Sequence, residues 1–186
     1  DLMWSASRSL DNQSTYANRR RDHADEMIRA LPAMYYSKIE RPIVIDKCRA
    51  WTLPLNLEMI DRFISDDPKI ICCVRDVPEI IRSFDRLFEL NGLTYEQRIP
   101  FMSELDVSLV GLDHALQCDD QKRFLMVEYD RLVDATSDVL AEIYEFLEIP
   151  GFDHDLGSIR NENPEDDSVY GLEGMHEIRP SISRRN

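Results

Sequence analysis

The sequence contains no apolar run near the roughly 20 residues that cross a bilayer, and its opening residues carry no signal-peptide pattern. A membrane partner is therefore not expected. Basic residues are in deficit: 22 Lys and Arg stand against 36 Asp and Glu, a net charge of −14. That balance argues against a nucleic-acid partner, since such binders need a cationic surface to displace counterions. It still admits a nucleotide ligand, because a few arginines can reverse the field inside one cleft. Cysteine is scarce as well. The four, Cys48, Cys72, Cys73 and Cys118, form no Cys-x-x-Cys pair and no Cys/His spacing suited to zinc, so no metal is expected. Cys72 and Cys73 read as small buried hydrophobes in a reducing, cytoplasmic setting. No internal repeat is visible.

What is present is the make-up of a folded domain. At 186 residues, 43% hydrophobic and 31% charged, the chain suits one compact globular domain over residues 1–186. Residues 1–16 lack a clear period and are expected to be irregular or a short helix. From about Asn18 the pattern is helical, with Ala24, Met27, Ile28 and Leu31 on one face. Arg19, Arg20 and Arg21 in its first turns form a solvated face or meet an acidic substrate. Residues 42–46 (Pro-Ile-Val-Ile-Asp) read as a buried strand opened by proline, and Lys47 follows at its end. Residues 53–64 are again helical in spacing.

A second strand follows from Lys69, with the apolar run Ile70 to Val74, and delivers Arg75. Asp76 and Glu79 then suggest a capping-box-like helix start with Pro78 in the first turn, and Asn91-Gly92 its stop. Thr94-x-x-Gln97 looks like another helix start, while Leu105, Leu109, Leu112 and Leu116 mark a further helix despite Gly111. Residues 124–127 form a third strand, followed by Tyr129 and a helix bearing Val139, Leu140, Ile143 and Leu147. Strands alternating with helices predict an α/β fold with a parallel sheet flanked by helices. Ligands of such sheets bind beyond the carboxyl ends of the strands, where Lys47, Arg75 and Tyr129 are each predicted to fall.

Arg75 and Ser83 suit a phosphate on physical grounds. The guanidinium is a planar fork of donors. Ser83 lies seven residues after Asp76, almost two helical turns, and so on the same side as the helix start. The alternative is an arginine paired with Asp76 and a serine on a helix surface.

Residues 66–90, with Lys-Ile-Ile-Cys-Cys-Val-Arg-Asp-Val-Pro-Glu-Ile-Ile-Arg-Ser, resemble the segment of sulfotransferases that binds the 3′-phosphate of 3′-phosphoadenosine 5′-phosphosulfate (PAPS). The resemblance gives Arg75 and Ser83 that role. Phe-Leu-Met-Val-Glu-Tyr-Asp-Arg-Leu at 124–132, continuing to Pro150, is similar to the family's Tyr-Glu-x-Leu segment and its following helix, and would bring Tyr129 near the donor nucleotide. Val-Ile-Asp46-Lys47 is similar to an Asp/Glu-Lys pair in carbohydrate and protein sulfotransferases, which would set Lys47 at the transferring sulfonate. Tyr170-Gly171 to Arg179 resembles a late segment closing over the donor, with His176 and Arg179 as contacts.

The resemblance implies a fold like that of the phosphate-loop NTPases, PAPS or its product PAP as co-substrate without a metal, and a small-molecule, carbohydrate or protein acceptor. The family's 5′-phosphosulfate loop and first strand are not found from Asp1 onward, and an upstream strand–loop–helix unit is expected to supply them. The general base stays open among His23, His114, His154, His176, Asp46 and Asp11, with His114 read as structural. A small-molecule or nucleotide kinase of related architecture and a non-catalytic nucleotide-binding remnant are the competing readings.

Overall fold

The computed structural model describes residues 2–11, 21–162 and 164–182. Asn18, Arg19 and Arg20 lie outside the described residues, as do the side chains of Asp11 and Arg21. Two compact units emerge, one from Asp1–Pro68 with Val107–Arg123, the other from Lys69–Asp106 with Phe124–Asn186.

The first unit is helical. Helix α1 (Leu2–Asp11), α2 (Arg21–Tyr35) and α3 (Pro54–Phe63) meet on a core of Ile28, Met59 and Phe63, with Met3 and Ala6 packed against it. Ala24 and Ile28 are buried as their spacing requires, whereas Met27 is 60% exposed. The Arg62 guanidinium ties α3 to α2 by donating to Asp25 at 2.7 Å. Leu53 precedes Pro54 at the start of α3, where the missing proline N–H costs nothing.

The strand expected at 42–46 does not form. Ile43, Val44 and Ile45 are 45%, 44% and 77% exposed, and the stretch carries no regular structure. An apolar, β-branched run becomes a strand only when a neighbour accepts its backbone hydrogen bonds. Among the described residues no strand lies beside it.

The second unit holds the sheet. Strands β1 (Ile70–Val74) and β2 (Phe124–Glu128) pair in parallel, with Ile70 opposite Phe124 and Val74 opposite Glu128. Between them in sequence run α4 (Val77–Leu90) and α5 (Tyr95–Gln117), the latter passing into the first unit from Val107. After β2 come the short α6 (Tyr129–Asp134) and α7 (Thr136–Phe146). The observed class is α/β with a small parallel sheet, as the alternation of strand and helix implied.

Phe88 is fully buried here, its ring 5.7 Å from both Phe84 and Phe101. α4 stops where expected. Gly92 takes φ +62, its N–H donates to the Glu89 carbonyl, and Leu93 donates back to Phe88, which closes a Schellman turn. α7 ends by the same device with a non-glycine residue, Glu148 at φ +56, a conformation that disfavours side chains by about 1–2 kcal/mol.

The start of α4 departs from expectation, and that of α5 falls where expected. Asp76 makes no side-chain capping bond, so the capping box read at Asp76 and Glu79 is not formed. At Thr94 the reciprocal half of a box does form, the Thr94 N–H donating to Gln97 Oε1 at 2.8 Å. α5 then runs on through Pro100 as one helix of 23 residues, where the sequence pattern implied two.

Candidate functional site

The end of the sheet in the second unit gathers the groups that matter. Because Val74 and Glu128 are register partners, Arg75 and Tyr129 are the first residues beyond two adjacent parallel strands. They touch. The Arg75 guanidinium carbon lies 4.2 Å from the centroid of the Tyr129 ring, a stacking that fixes the plane of the cation. Tyr129 is half-buried because it opens α6 directly after β2.

Arg75 does not pair with Asp76, the alternative partner that sequence suggested. Its Nε–H donates instead to Glu79 Oε2 at 3.0 Å, one turn along α4. The other Glu79 oxygen faces Arg82 Nη2 at 4.0 Å. Among the described residues, the two terminal nitrogens of Arg75 have no hydrogen-bond partner. Ser83 is half-buried on the same helix, four residues past Glu79 and so on its face. Sequence reasoning did not anticipate Glu79 as the partner of Arg75. Its spacing from Asp76 read as a cap, and the competing signal was the i,i+4 spacing from Arg75.

Lys47 is exposed, in the irregular stretch 41–48 of the first unit. The strand that was to carry it to the sheet is absent, so the observed strand ends bear Arg75 and Tyr129 but not Lys47. Its neighbour Asp46 lies near the Tyr36 phenol. The Tyr36 phenol is pushed up by desolvation first and by Asp46 second.

His176 belongs to the second unit, in the segment after a single 3-10 turn at Asp167–Val169. Its Nδ1 lies 2.6 Å from Asp167 Oδ1 and its Nε2 3.4 Å from Glu165 Oε2, and the Tyr170 ring meets it edge-on. Partial burial raises the Asp167 pKa, but hydrogen bonds from the His176 ring and N–H outweigh it and hold the carboxyl below its ordinary value. Arg179 follows on exposed chain.

The other candidate bases are placed as follows. His114 Nδ1 lies 3.0 Å from the Thr52 carbonyl, in keeping with the structural role read for it. His154 shares a 2.8 Å hydrogen bond with the Tyr144 hydroxyl, and His23 is exposed beside Asp22. Cys73 is exposed and Cys72 only half-buried, where burial of both was expected. Desolvation first, and the neighbouring Cys73 second, push the half-buried Cys72 thiol up, which lowers its thiolate character at neutral pH.

The first unit has a separate open cleft of about 510 Å³, lined among others by Asp61, Arg62, His114 and Arg123. Asp61 occupies Arg123 with two hydrogen bonds, one of them 3.1 Å long. Among the described residues no cluster of side chains could hold a metal ion.

A parallel strand pair that ends in a stacked arginine, beside a helix bearing a hydroxyl, presents hydrogen-bond donors of the kind an anionic group accepts. A profile of the sulfotransferase family matches residues 5–154, well over half of the chain, and the chain belongs to that family. No curated protein and no solved structure matches it. Lys47, Arg75, Ser83 and Tyr129 lie within the matched span, and His176 and Arg179 lie beyond it.

Proposed function

We propose that the protein transfers a sulfonate from PAPS to a hydroxyl or amine of a small-molecule, carbohydrate or protein acceptor, using a sheet of the phosphate-loop type. The observation that carries this reading is the stacked Arg75–Tyr129 pair at the carboxyl ends of β1 and β2. In this reading Arg75 and Ser83 hold the 3′-phosphate of the donor, the guanidinium through its terminal nitrogens and the serine through its hydroxyl. Tyr129 supports the cation and lies near the nucleotide. His176 and Arg179 approach the donor from the late segment.

The acceptor atom attacks sulfur in line, a new bond to sulfur forms, and the bond from sulfur to the bridging oxygen of the 5′-phosphate breaks. Charge grows on that oxygen, and Lys47 is the group assigned to stabilise it. The acceptor proton leaves to a base drawn from the histidines and carboxylates above.

Thermal denaturation of the intact protein with PAP, the 3′-phosphorylated product, tests the donor reading. At 100 times Kd a ligand adds about 2.7 kcal/mol to stability. PAP is expected to raise the melting temperature well above the shift given by 5′-AMP at equal concentration, and Arg75→Ala to erase the difference. Equal shifts in the wild type, or a preference that survives Arg75→Ala, would overturn the assignment.

A further inference from the structure

We infer that Glu79 is a positioning residue of the 3′-phosphate site, holding the Arg75 guanidinium so that its two terminal nitrogens are the donors offered to the phosphate. The inference rests on the reading of Arg75 given above. An arginine side chain is long, and a free one gives up much rotamer freedom when it is ordered. Two contacts order it here before any ligand arrives. The Tyr129 face sets the plane of the guanidinium at 4.2 Å, and Glu79 Oε2 takes Nε–H at 3.0 Å, which sets its rotation within that plane. Side chains 20% and 34% exposed make this pair half-sheltered, so the contact is not a fully solvated surface bridge.

The geometry also limits how an anion can be met. With Nε engaged by Glu79, a side-on grip through Nε and one terminal nitrogen is closed. The end-on pair remains.

A competing account makes Glu79 a stand-in anion that the phosphate must expel or repel. The two accounts disagree about which property of Glu79 counts. Positioning needs an acceptor oxygen at the right reach, whereas competition needs the negative charge.

Three variants of the intact protein separate them, with PAP and 5′-AMP affinities measured by calorimetry on each. Glu79→Gln keeps an oxygen of the same reach and drops the charge. It is expected to bind PAP within about threefold of wild type. Glu79→Ala removes the acceptor and is expected to weaken PAP about tenfold, with 5′-AMP unchanged. Glu79→Asp keeps the charge but withdraws the oxygen by one methylene, and is expected to behave like the alanine variant. It also keeps the test alive if the alanine chain folds poorly.

Tighter PAP binding by both Gln and Ala variants would overturn the inference in favour of competition. PAP affinity unchanged in all three would overturn it outright. If wild type itself fails to prefer PAP over 5′-AMP, the donor reading of Arg75 falls first, and that outcome is distinct from either.

Discussion

At the scale of single residues, the orientation of the Arg75 guanidinium is set by its neighbours Tyr129 and Glu79. Tyr129 contributes a ring face, and such a contact is worth about 0.5–2 kcal/mol when partly desolvated. The phenol oxygen plays no part in that stacking. Tyr129→Phe is therefore expected to leave PAP affinity within about twofold, and Tyr129→Leu to lower it about three- to tenfold. Equal losses in both variants, measured by calorimetry, would point to the hydroxyl rather than the ring. The strand-end positions of Arg75 and Tyr129 were legible in the sequence because an apolar run followed at once by a polar side chain marks the end of a parallel strand. Glu79 was not. Three residues after an aspartate at the N-cap position and four after an arginine, one carboxylate can serve either neighbour, and only the fold decides between them.

Among the elements, α5 shows a local rule overridden by packing. Gly111 sits inside this helix, where glycine costs about 1 kcal/mol relative to alanine. The reason lies across the first unit. A Cβ at position 111 would run into the Thr52 hydroxyl, and the Thr52 carbonyl meets His114 one turn on. Thr52 is itself buried, so it has little room to retreat. Gly111→Ala is expected to lower stability by about 1–3 kcal/mol despite its gain in helix propensity. Adding Thr52→Ala removes the clashing oxygen and should recover part of that loss, a non-additivity that urea denaturation of the single and double variants would reveal.

The stop of α4 at Asn91-Gly92 was readable because a positive φ admits few residues other than glycine. The stop of α7 at Glu148 carries no such mark. The missing strand at 42–46 has a different cause: its composition is right, but strand formation depends on a neighbour, and the sequence of one segment does not contain that information.

For the whole molecule the governing quantity is charge. A net −14 at neutral pH stores self-repulsion, which protonation relieves as pH falls toward a pI near 4.6. Three carboxylates oppose that trend. Asp167 is held low by His176, Glu142 by its hydrogen bonds from Arg131, and Glu96 by a backbone hydrogen bond. The sign follows from linkage: a carboxyl whose folded pKa lies below its unfolded value contributes stability that is present above the unfolded value and lost as pH falls through the folded one. The ordinary values are 3.8 for Asp and 4.5 for Glu, so the loss belongs below about pH 4. Melting temperature is therefore expected to hold or rise slightly from pH 7 to 5, then to fall below 4. Asp167→Asn removes one titrating partner together with its bonds to His176. It is expected to melt lower than wild type at pH 7 and to show a shallower fall between pH 4 and 3. Parallel acid limbs for the two proteins would mean that the Asp167–His176 contact contributes nothing to the acid sensitivity of the fold, and would leave that fall to Glu142, Glu96 and the general protonation of the surface.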